Sequence, residues 1–177
     1  MTKDSDKKIL RPSQTLLDLL GFIPEKPVIS REINLTKITG NYTPLPMIKE
    51  LLGIIKRFYG ETIGELFEQK FSLVTHESLE NSRVHGSKKG RKYGITLYLC
   101  KRGTISGFWD DGEFFRGRGI KEQFESRTKI REEQFELAED DERAGRMGAQ
   151  TIYGYADIIE VDNKEGVLWL GQRVSQQ

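Results

Sequence analysis

The chain has 177 residues, enough for one domain with a substantial core and one appended element. With 36% hydrophobic and 31% charged residues it reads as a soluble globular protein, and a net charge of +1 exerts no global pull on nucleic acid or anionic membranes, so any anion site is local. The single cysteine, Cys100, excludes an intrachain disulfide and a cysteine-based zinc site.

No run approaches the roughly 18–20 apolar residues of a membrane helix. The polar residues 1–8 are not followed by a signal-peptide apolar stretch, so a cytoplasmic protein is expected. Residues 1–30 read as an N-terminal extension. Within it, residues 13–24 predict a short amphipathic helix stopped by Gly21 and Pro24. Its Leu16, Leu17, Leu19, Leu20 and Phe22 are too many apolar groups for water, so they pack on the domain or on a partner.

Residues 31–177 form the main domain. Partial alternation over 33–39 predicts a strand. Thr43 is a candidate N-cap and Pro44 a first helical residue. Leu45, Ile48, Leu51, Leu52, Ile55 and Phe58 keep the helical period, so 44–59 is an amphipathic helix ended by Gly60. A second helix spans about 65–85. Tyr93, Ile95, Leu97 and Leu99 alternate, as do Ile105, Gly107 and Trp109 beyond Lys101 and Arg102, which predicts a β-hairpin. Cys100 in that run reads as a buried inert thiol.

The charged stretch 116–144 reads as an exposed helix or flap. Ala149, Ile152, Tyr153 and Ala156 show helical spacing, and a last hairpin joins 158–161 to 167–170. This order predicts an α+β fold, a two-layer α/β sandwich with helices on one face of a mixed, mostly antiparallel sheet.

Residues 76–86, His-Glu-Ser-Leu-Glu-Asn-Ser-Arg-Val-His-Gly, carry the most specific signal. Glu77 and Asn81 are four residues apart and share a helix face. At about 100° per residue, Leu66, Leu73, Val74 and Val84 fall in the same arc, which predicts that both polar groups sit on a core-facing stripe. Buried without partners they would cost on the order of 1–3 kcal/mol each. Either an internal polar network or a ligand with a metal satisfies them.

This stretch resembles the N box of the GHKL ATPase superfamily, which includes sensor histidine kinases, anti-sigma-factor serine kinases, type II topoisomerases and mismatch-repair ATPases. Trp109-Asp110-Asp111-Gly112 resembles its G1 box, and Gly145-Arg146-Met147-Gly148-Ala149 its G2 box. Size and layout look most like the anti-sigma-factor kinases. The resemblance implies a Bergerat-type ATP-binding fold with Mg²⁺ held through Asn81. It also implies that Glu77 acts as or positions a general base, Asp110 accepts from the adenine amino group, Gly112 lets the base approach, and Gly145 and Gly148 free amides for phosphate. Lys88, Lys89, Arg91 and Arg146 are candidate phosphate neighbours. The chain departs from the pattern at Phe114, which stands where G1 has its second glycine.

The only histidines, His76 and His85, lie inside the motif, which leaves no separate phosphoacceptor helix. The expected function is Mg-ATP binding with phosphoryl transfer to a partner protein, or ATP hydrolysis. The alternative is a catalytically weak or inactive regulatory module of the same fold. A regulatory protein partner is expected, a homodimer is compatible, and no nucleic-acid or membrane partner is expected.

Overall fold

The computed structural model describes residues 10–21, 27–34, 43–60, 63–86, 92–112 and 151–174. Three helices, α1 (Gln14–Leu20), α2 (Leu45–Tyr59) and α3 (Glu65–Asn81), are joined by a short helix α4 at 151–155. The strands are β1 (Ile29–Asn34), β2 (Lys92–Cys100), β3 (Gly103–Asp110), β4 (Ile158–Asp162) and β5 (Val167–Arg173). They form one open sheet in the order β1-β2-β3-β5-β4. Among the described residues every pairing is antiparallel, so the expected mixed sheet is corrected there to an antiparallel one within an α+β fold.

The β2–β3 hairpin turns through Lys101 and Arg102, with Cys100 opposite Gly103. That register sends Tyr93, Ile95, Leu97, Leu99, Phe108 and Asp110 to one face, and Tyr98, Cys100, Ile105 and Trp109 to the other. The first face carries the main core, where Leu51, Ile55, Phe67, Phe71, Val74 and Leu79 of the helices meet Ile95, Leu97, Phe108, Leu168 and Leu170. α2 runs over the β1 side: Arg31 makes a bidentate bond to Glu50 at 2.7 and 2.8 Å, which holds that exposed carboxyl below its ordinary range. At the other end of α2 the Tyr59 hydroxyl grips the hairpin turn, bonding the carbonyls of Cys100 and Gly103 and accepting from the Cys100 N–H. α4 sits toward β4 and β5, because Ile152 is buried in the same core and only two residues separate the helix from β4.

The second face is covered as well, which corrects the expectation of helices on one face only. α1 docks there with Leu16 and Leu20 fully buried against Tyr98, Cys100, Ile105, Val167 and Trp169. Ser13 caps it by accepting from the Leu16 N–H, and its hydroxyl donates to Glu160 of β4 at 2.6 Å. Arg102 donates its backbone N–H to Leu20 and its guanidinium to the Asp18 carbonyl. Two tryptophans complete this face by lying across strand glycines. A Cβ on Gly94 would come within 2.4 Å of the Trp109 ring, and one on Gly107 within 2.4 Å of the Trp169 ring.

Two boundaries differ from the sequence reading. β1 starts at Ile29 rather than Ile33, because Arg31 and Glu32 interrupt an alternation that Ile29 and Ile33 carry; residues 35–39 of the expected strand lie outside the described residues. α3 ends at Asn81 and continues as one wide π-helical turn, Ser82–Gly86. No helix among the described residues is long and apolar enough to cross a membrane.

Candidate functional site

α3 does not bury the stripe that the apolar count selects. Its buried residues are Phe67, Phe71, Val74, Thr75, Ser78 and Leu79, followed by Ser82 in the wide turn. Leu66, Leu73 and Val84 are 63%, 44% and 52% exposed. The reason is local hydrogen bonding. Ser78 Oγ donates to the Val74 carbonyl at 2.7 Å and Ser82 Oγ to the Ser78 carbonyl at 3.0 Å. Small hydroxyls satisfied one turn back enter a core at little cost, and they let the helix lie close to the sheet.

Glu77 and Asn81 therefore stand on a flank of α3, both half-buried, rather than in the core-facing stripe. Which flank follows from a salt bridge. Lys56 of α2 pairs with Glu68 at 2.8 Å, so α2 lies on the Glu68 side. Glu77 is nine residues further on, about two and a half turns, and so faces the opposite way. Asn81 follows one turn later on the same flank. Both look away from α2. Glu77 is 31% exposed, with Oε1 3.6 Å from Nδ1 of His76.

Asp110 ends β3 on the helix-covered face and is 6% exposed. Its Oδ1 accepts the Gly112 N–H at 2.9 Å, a local turn that fixes the carboxyl orientation. The Asp111 N–H donates to the Lys92 carbonyl at 2.9 Å and carries the ladder one step past the strand. The π-helical turn that follows Asn81 packs against β2 and β3. The C-terminal end of α3 and the Asp110 turn thus belong to the same side of the sheet, the one that α2 and α3 cover.

Sequence reading missed Tyr93 as part of this region. It is fully buried and stands directly opposite Asp110 in the β2–β3 ladder. The signal was present, since counting outward from Cys100 opposite Gly103 pairs Tyr93 with Asp110. Gly145, Gly148, Lys88, Lys89, Arg91, Phe114 and Arg146 lie outside the described residues, as does the 116–144 segment.

Chemically, a buried carboxyl oriented by a backbone N–H suits an amino group of a bound molecule. The Asn81 amide oxygen suits a hard cation that takes its remaining ligands from water and phosphate oxygens. Among the described residues no three His, Cys, Asp or Glu side chains gather to hold a metal alone. Cys100 lies on the α1 face, and burial pushes its thiol up to about 12, which keeps it protonated and unreactive. Comparison with protein-family models, with curated proteins and with solved structures finds no match for this chain.

Proposed function

We propose that this chain is a Mg-ATP-binding signalling domain of the GHKL type on a Bergerat-type sandwich, which transfers phosphoryl to a partner protein or hydrolyses ATP. The observation that carries the reading is Asp110, buried on the helix-covered face with its carboxyl set by the Gly112 N–H. A carboxyl so held is an acceptor for the adenine amino group, and glycine at 112 admits the flat base close to the backbone. Asn81 supplies one oxygen ligand to Mg²⁺, and Glu77 on the same flank acts as or positions the general base. Gly145 and Gly148, which precede residue 151 in the sequence, would offer amides to phosphate. When bound, Mg-ATP supplies the transferable group and the cation that neutralises its charge. The setting is cytoplasmic, with a regulatory protein, or a second copy in a homodimer, as partner.

A second reading is a catalytically weak or inactive regulatory module of the same fold. The half-exposed Glu77 favours it, because a carboxyl that reaches water needs no ligand to offset burial. Calorimetric titration with Mg-ADP and with Mg-GDP tests the first reading. Binding of the adenine nucleotide alone is expected, since guanine carries an oxygen where adenine carries its amino group. Heat from neither nucleotide at millimolar concentration overturns it.

A further inference from the structure

We draw no further inference here: the strongest candidate, the outward apolar stripe of Leu66, Leu73 and Val84 along α3 and its wide turn, carries nothing because no observation among the described residues says what covers it.

Discussion

Thr104 and Ser106 alternate along β3 on the face that α2 and α3 cover, both buried, and neither hydroxyl has a hydrogen-bond partner among the described residues. A buried hydroxyl left unpaired costs about 1–3 kcal/mol, whereas an apolar group of the same shape does not. Thr104→Val should therefore match or exceed the wild-type stability in urea denaturation. A loss above about 1 kcal/mol would show that the hydroxyl bonds a group that the bare side-chain geometry does not include. Glu77 makes the complementary case at the candidate site. Its carboxyl is half-buried beside His76, so Glu77→Gln should keep the fold and nucleotide affinity while slowing phosphoryl transfer by about 10²–10⁴-fold. Turnover unchanged in that variant removes Glu77 from the mechanism. At this scale the sequence put Glu77 and Asn81 on a core-facing stripe, and the structure has both on a half-buried flank instead. An apolar count treats serine and threonine as surface residues, and here Thr75, Ser78 and Ser82 take the buried positions that Leu66, Leu73 and Val84 were expected to hold.

Among the elements, α2 was legible because its leucines and isoleucines repeat at the helical period and Gly60 stops it, with a φ of 65° and its N–H on the Lys56 carbonyl. The β2–β3 hairpin was legible from its alternation and two-residue turn. The covering of its second face was also visible in principle. Tyr98, Cys100, Ile105 and Trp109 are apolar, and a strand apolar on both faces is one buried on both. The leucines of 13–24 were expected to pack on the domain or on a partner, and they pack on the domain; which face α1 covers depends on shape and on bonds such as Ser13 to Glu160. The glycines in the strands have their reason in packing. Gly107 is the floor on which the buried Trp169 ring rests, so Gly107→Val must move that ring or the strand and should cost about 1–3 kcal/mol or more. The urea midpoint and the near-ultraviolet dichroism of the tryptophans report it together. A variant with unchanged midpoint and spectrum would contradict this account of the α1 face.

For the molecule as a whole, the arrangement is an antiparallel sheet with α1 on one face and α2, α3 and α4 on the other. Lys56–Glu68 and Arg31–Glu50 hold α2 toward β1, which leaves the Glu77 and Asn81 flank of α3 facing the other way, on the face that also bears Asp110. This shared side was not readable from spacing alone, because it depends on which flank α2 occupies. Gly145, Gly148 and the 116–144 segment fall outside the described residues.

The most direct measurement is thermal unfolding with and without Mg-ADP, run on the wild type and on Asp110→Asn. Nucleotide at 100 times its dissociation constant stabilises the fold by about 2.7 kcal/mol. For a chain of this length that is a rise in Tm of roughly 5–10 °C. The account predicts that rise in the wild type and its loss in Asp110→Asn, whose own Tm without nucleotide stays near the wild type's. No rise in the wild type at millimolar Mg-ADP, or an equal rise in both proteins, would contradict it.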